Sequence, residues 1–272
     1  MRGETTAEEE EVWRELLTTD KGHTWAVARR MFRVLPSSPR CKMCNSPFRG
    51  PGGVLMHLAG RYPAPMNPNF CAWCARWAEK HPGGAEIQLA MLFADVRNST
   101  PLARSLGDAG FTQIINRFYV TASDVLIQQD ALISRMVGDE VVALFLPVIL
   151  KDRYATAAVE AARSLLRATG HDDPQGPWLP IGVGVHAGSA YVGMWGTANG
   201  VQDFTALGSE VSLTARLAQV ATAGEILMTE GTRAAAGVES GDVAQKRVDL
   251  KGWGGPMDMW SMSMLPAAAP TA

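Results

Sequence analysis

The sequence predicts an α/β sheet domain preceded by a helical segment and a cysteine-rich unit. Three observations carry that reading. From Glu86 onward, strand-like apolar runs alternate with stretches whose apolar residues recur every three or four positions, the pattern of βαβ units. Two of those runs break into an aspartate: Leu89–Ala94 into Asp95, and Ala131–Val137 into Gly138-Asp139 before a further run, Val141–Leu146. Upstream, all four cysteines of the chain fall between residues 40 and 84.

The elements follow in order. Glu8 to Leu35 has helical character, with Val12, Leu16 and Leu17 on one stripe, and Pro36-Ser37-Ser38-Pro39 ends it. Arg29, Arg30 and Arg33 share a face and are expected to form a solvated surface near a helix C-terminus. The next unit carries Cys41-Lys42-Met43-Cys44 and Cys71-Ala72-Trp73-Cys74, separated by 26 residues rich in Gly and Pro. Two Cys-x-x-Cys pairs place four thiolates for one tetrahedral site, and a metal staple offsets the small core of such a loop-rich segment. Structural zinc is the first reading, an iron–sulfur cluster the second, thiol–disulfide chemistry or no metal the third. Four thiolates complete a site, so His57 and His81 are left as surface or capping residues.

Within 86–264, strand, Gly-Asp turn and strand around Asp139 read as a β-hairpin with a carboxylate at its tip. Phe111, Ile114, Ile115, Phe118, Tyr119, Ala122, Val125 and Leu126 form one helical stripe, and Ala155, Ala158, Val159, Ala162, Leu165 and Leu166 another. Ile181, Val183 and Val185 alternate with Gly182, Gly184 and His186, a strand with one face kept bare for close packing. His186 is read as a satisfied structural histidine. A helix over Glu210 to Ala221 sets Ser212, Arg216 and Gln219 on one face and Val211, Thr214, Ala215 and Ala218 on the other. Two βαβ-like halves suggest a ferredoxin-like sheet, and residues from Leu265 onward read as a disordered tail.

Composition narrows the partners. The 272 residues allow one or two domains, and 25 Lys+Arg against 27 Asp+Glu supply no basic surface for nucleic acid or an anionic membrane. The acidic start lacks a signal-peptide core, and the longest apolar run, Val141 to Leu150, is too short for a span and contains Pro147. The cytoplasm is the expected compartment.

Phe93-Ala94-Asp95-Val96 with Ser99-Thr100, Val137-Gly138-Asp139, Ile181–Gly188, Gly208, Ala215-Arg216-Leu217 and Leu250-Lys251-Gly252 stand in one order. That ordered set resembles the class III nucleotidyl cyclase catalytic domain over roughly Glu86 to Met264. The resemblance implies an enzyme that converts a nucleoside triphosphate to a 3′,5′-cyclic nucleotide. It implies Asp95 and Asp139 as ligands of two Mg²⁺ or Mn²⁺ ions, Arg216 on the α-phosphate and Lys251 on the triphosphate. The helix start around Arg97 to Thr100, including Asn98, Ser99 and Thr100, offers backbone N–H groups to the triphosphate. By the same resemblance Arg135 and Thr205 take the base-reading positions, where the adenylyl pattern has Lys and Asp, and Ser212 stands where the family has a ribose-orienting Asn. Thr both donates and accepts, so Thr205 leaves GTP or a pyrimidine nucleotide as alternatives; ATP is favoured because the family includes members with Thr at that position that use ATP. Since the family draws its metal aspartates from one subunit and Arg and Lys from the other, a head-to-tail homodimer is expected. The competing readings are a catalytically idle cyclase fold and, from Val137-Gly138-Asp139-Glu140, a diguanylate cyclase, which lacks a counterpart to the Arg216 helix.

Overall fold

The computed structural model describes residues 6–19, 24–35, 39–65, 69–196 and 202–264. The expected break at 36–38 and the tail from Leu265 lie outside them. In chain order the elements begin with α1 (Ala7–Thr18), α2 (Thr24–Arg33), α3 (Gly50–Leu58), α4 (Ala72–Lys80), β1 (Gly83–Val96) and α5 (Ser99–Gln128). There follow β2 (Leu132–Val137), β3 (Glu140–Phe145), α6 (Pro147–Leu150), α7 (Tyr154–Ala168), β4 (Ile181–Gly196) and β5 (Gln202–Leu207). The last are α8 (Ser209–Val220), β6 (Glu225–Met228), α9 (Glu230–Ala235), β7 (Ala244–Asp249) and β8 (Pro256–Ser263). The chain divides into two units, residues 1–87, 146–151 and 190–207, and residues 88–145, 152–189 and 208–272.

In the first unit, Thr6 and Glu9 form a reciprocal cap that starts α1. The helix buries Trp13, Leu16 and Leu17, whereas Val12, expected on that stripe, is 40% exposed. Trp13 takes the core position because its ring packs against Trp77 and Phe204, at centroid distances of 5.4 and 6.1 Å. A second expectation changes at α2. Arg29 is buried, not solvated. Its guanidinium donates to the carbonyls of Leu16 (2.7 Å), Thr19 (3.1 Å) and Met43 (2.7 Å), so it ties the end of α1 to the cysteine-bearing turn. β5 pairs antiparallel with the far half of β4, Thr205 opposite Gly193.

In the second unit the strands lie in the order β2-β3-β1-β4-β6-β8-β7. β1 and β3 run antiparallel from Ala90 opposite Phe145 to Asp95 opposite Glu140. β2 and β3 form the expected hairpin, turned at Gly138, whose φ of 61° suits glycine. β4 and β6 are parallel, and the crossover between them carries α8. The fold is the α/β sheet with helices that the pattern of strands and stripes predicted. All six residues of the α7 stripe are buried, as are Ile115, Phe118, Ala122 and Leu126 of α5. That helix bends at Gly107, where φ is 68°.

The bare face of β4 has a direct purpose. A Cβ on Gly184 would lie 2.5 Å from Ala218 N and 2.6 Å from Thr214 O, so the strand is flattened to admit the backbone of α8. Leu213, Thr214, Leu217 and Ala218 face inward, which leaves Ser212, Arg216 and Gln219 exposed together.

Candidate functional site

Among the described residues, ligand-type side chains gather at the cysteines of the first unit and at the strand-end carboxylates of the second. In the first, Cys41 and Cys44 share a tight turn closed by Asn45 N to Cys41 O (2.8 Å), with Asn45 at φ 64°. Cys71 caps α4, and Cys74 follows one turn into it. Lys42 N donates to Asn69 O at 2.8 Å, and Cys71 N to the Cys41 sulfur at 3.2 Å, which draws the two knuckles together. All four sulfurs are buried and lie within 4.8 Å of one another, a geometry that fits a metal ion. Burial raises the thiols of Cys41 and Cys74, while bonding among the sulfurs lowers those of Cys44 and Cys71. Arg61 lies on the two lowered sulfurs, 3.5 Å from Cys44 and 4.0 Å from Cys71, clasped between the rings of Phe32 and Trp73. His81 instead bonds Trp77 O, and His57 packs on Tyr62, so neither joins the quartet.

In the second unit, Val96 N donates to Asp139 O at 3.1 Å, which docks the hairpin tip on the end of β1 and brings Asp95 beside Asp139. Glu140, opposite Asp95 in the ladder, makes a third carboxylate. Burial raises the Asp95 carboxyl; Arg97 opposes that rise and the Asp139 charge adds to it. Glu140 is raised by burial and by both aspartates, with Arg135 opposing. Repulsion among half-buried acids is what a divalent cation relieves, so the donor set fits Mg²⁺ or Mn²⁺. Tyr119 on α5 holds the tip by donating to Gly138 O at 2.8 Å.

The other expected site residues are placed as follows. Asn98 adopts φ 55° and precedes the first turn of α5, which contains Ser99 and Thr100. Arg97, grouped with them as a source of free N–H, already donates its backbone N–H to Pro180 O at 2.8 Å. Arg216 donates to Gln219 Oε1 at 2.6 Å on the exposed face of α8, and Ser212 Oγ reaches Gly208 O at 3.4 Å. Lys251 is exposed in the turn between β7 and β8, Arg135 is exposed on β2, and Thr205 lies half-buried on β5 in the first unit. His186 is buried between Thr229 Oγ1 at 2.9 Å and Glu210, as a structural histidine would be; burial lowers its pKa, against the pull of Glu210. Sequence reasoning passed over the side chains of Arg97 and Arg61. Arg97 had a readable signal only in its closeness along the chain to Asp95, since it lies past the end of β1 in the turn before α5. Arg61 had none, because a loop brings it to the sulfurs.

Fold and site define a class, an α/β sheet domain with converging strand-end carboxylates. Residues 85–264 match the model of the adenylate and guanylate cyclase catalytic domain, and the chain belongs to that family. It is similar to an uncharacterised protein of Mycobacterium tuberculosis, 29% identical over 139 residues, 51% of this chain and 25% of the relative. It is also similar to one of Rhizobium meliloti, 26% identical over 195 residues, 66% of this chain and 18% of the relative. The chain thus spans about a quarter or less of the length of these relatives. Among solved structures, the guanylyl cyclase Cya2 aligns at TM-score 0.59 and 23% identity, over 70% of this chain and 98% of that one. The adenylyl cyclase CyaB from P. aeruginosa aligns at 0.56 and 24%, over 65% and 93%. At these identities the likeness is one of fold.

Proposed function

We propose that this chain is a nucleotidyl cyclase that converts a nucleoside triphosphate, ATP by preference, to a 3′,5′-cyclic nucleotide and pyrophosphate. The observation that carries the reading is the convergence of Asp95 and Asp139, half-buried and mutually repelling, at adjoining strand ends. In the reaction the ribose 3′-oxygen attacks the α-phosphorus, pyrophosphate leaves and the hydroxyl proton passes to solvent. Two Mg²⁺ or Mn²⁺ ions, when bound, ease loss of that proton and neutralise charge on the phosphates. Asp95 and Asp139 hold them. Arg216 and Lys251, both exposed and at liberty to approach a second chain, neutralise the α-phosphate and the triphosphate tail. Asn98, Ser99 and Thr100 present the first turn of α5 to the phosphates, and Arg135 and Thr205 read the base. An adenylyl and a guanylyl cyclase align with the chain at 24% and 23% identity, so the base rests on those two residues.

The domain reading is a helical segment over 1–39, a metal-binding unit over 40–84, the cyclase domain over 86–264 and a tail over 265–272. We assign the sulfurs to structural zinc. A tetrahedral ion with metal–sulfur bonds of about 2.3 Å sets its ligands about 3.8 Å apart, and Cys44 and Cys71 stand at 3.8 Å. A cluster spreads its thiolates over separate irons, and the 4.8 Å limit on this quartet suits one ion better. Among the described residues no helix is long and apolar enough to cross a membrane; the cytoplasm is the compartment we propose, where a nucleoside triphosphate substrate is found. Ser212 favours one second reading, a cyclase fold that binds nucleotide with little turnover, because its short hydroxyl reaches only toward Gly208.

The test is pure protein with Mn²⁺ and each of ATP, GTP, CTP and UTP, with cyclic products resolved by chromatography. A cyclic product, cAMP in excess, is expected; none with any nucleotide leaves the idle fold. Asp139→Ala and Arg216→Ala should each be inactive alone. Mixed, they should recover about a quarter of wild-type activity, because half the dimers are heterodimers with one intact site of two. No recovery despite subunit exchange rules out a shared site.

A further inference from the structure

The carboxylate pair does not stand bare. Arg97 lies two residues beyond Asp95, in the turn that follows β1, and its outer nitrogen forms an ion pair with Asp95 Oδ2. The two side chains are only 16% and 19% exposed, so the pair is largely shielded from water and screening salt. Its Nε donates to Asp95 O at 3.2 Å, and its Nη1 to the carbonyls of Gln219 at 2.7 Å and Ala221 at 3.2 Å. Those carbonyls close α8, where the helix dipole is negative and a cation is favoured. Around the pair stand Asp139 and Glu140 from the hairpin, Arg135 from β2 facing Glu140, and Tyr119 from α5.

We propose that Arg97 is the internal counter-ion of the metal site: it holds Asp95 in the nucleotide-free protein and competes with the divalent cation for that carboxylate. This rests on the reading of Asp95 as a metal ligand. Two physical terms give the competition its sign. An ion that takes both oxygens of Asp95 must break the Nη2 bond, and a guanidinium charge that remains beside the site repels the incoming dication. Departure is inexpensive, because three of the four contacts of Arg97, those to the carbonyls, survive when the fourth is lost. The guanidinium thus holds Asp95 without metal and retires onto the end of α8 when metal arrives. Since α8 carries Arg216, the same side chain also joins the metal aspartate to the helix of the phosphate-binding arginine.

The experiment is Mn²⁺ titration of the full chain without nucleotide, followed by the electron paramagnetic resonance signal of the free ion. Arg97→Gln removes the charge yet keeps an amide for the carbonyls of α8. Its dissociation constant for Mn²⁺ should fall on the order of tenfold, the worth of one charged hydrogen bond. Arg97→Lys, which cannot span Asp95 and both carbonyls at once, should tighten binding severalfold, and it is the variant scored if Arg97→Gln does not fold. Unchanged or weaker binding in the folded variants overturns the proposal and makes Arg97 a support for the carboxylate. Asp95→Asn separates this from failure of the underlying reading. If Asp95→Asn lowers Mn²⁺ affinity while the Arg97 variants do nothing, the competition alone is wrong. If Asp95→Asn changes nothing, Asp95 is not a ligand.

Discussion

The sulfur quartet and the carboxylate pair are both anionic clusters with a guanidinium beside them, and they differ in how that cation is held. Arg61 is fixed between two aromatic rings, over sulfurs that are sealed from solvent. Arg97 hangs between Asp95 and a row of carbonyls that can keep it when Asp95 is taken. The first arrangement suits an ion that enters during folding and stays, the second one that exchanges with substrate. A closed site stabilises its unit; an open one works by remaining incomplete.

The comparison breaks soonest at the sulfurs. Cys71→Ser with Cys74→Ser should abolish bound metal and lower the stability of residues 39–80 by several kcal/mol, about the scale of losing a structural ion. Elemental analysis and hydrogen exchange across 39–80 measure it, and a pair of serines that leaves exchange protection intact would show the quartet to be incidental. Wild-type protein dialysed against a chelator should retain about one zinc per chain while losing all Mn²⁺. Equal loss of both would erase the distinction between closed and open.

Next in size is the loss of activity in Asp95→Ala or Asp139→Ala. Each should reduce cyclic nucleotide formation by about 100-fold or more while circular dichroism stays unchanged, because both side chains sit at strand ends outside the core. A variant that keeps more than a tenth of the activity would remove that aspartate from the metal reading.

Protons should separate metal binding from stability within the second unit. Burial, with Asp139 adding and Arg97 opposing, raises the Asp95 carboxyl, and Glu140 is raised likewise. Burial alone would also raise Glu225, but bonds from Lys246, Ser261 and Thr222 outweigh it and hold its carboxyl low. The signs are opposite. Raised carboxyls bind protons more tightly in the folded state, so they add stability as pH falls through their folded pKa values. The lowered Glu225 contributes stability above its unfolded pKa and loses it as pH falls through the folded one. On acidification, Mn²⁺ affinity should therefore weaken first, above the ordinary carboxylate range, and the melting temperature fall only below the ordinary glutamate range. Simultaneous loss of both would deny the separation. Glu225→Gln should cost about 2 kcal/mol in denaturant unfolding, a modest figure because Lys246 remains partly solvated. The smallest effect concerns the base. Arg135→Lys with Thr205→Asp should shift the ratio of ATP to GTP turnover severalfold toward ATP, and an unchanged ratio would remove both residues from the base pocket.

By itself the sequence determined most elements of residues 86–264 and the side chains that gather into the two clusters, whereas the segment read as loop-rich carries α3 and α4. Apolar stripes and alternation are local, so α7, the β2–β3 hairpin and the exposed face of α8 were legible, and so were Asp95, Asp139 and the four cysteines, which sit at elements' ends or in paired knuckles. Only the tertiary structure decided what surrounds them. Arg29, read as solvated, is buried because three carbonyls from α1 and the cysteine turn converge on it, and Val12 gives way to Trp13 because distant aromatics select the larger ring. Arg97 reaches carbonyls more than 120 residues away, and Arg61 meets sulfurs held on two separate knuckles. Periodicity records which face of an element avoids water; it carries no record of which distant donor or acceptor will meet that face, because this depends on how the sheet and loops close in space.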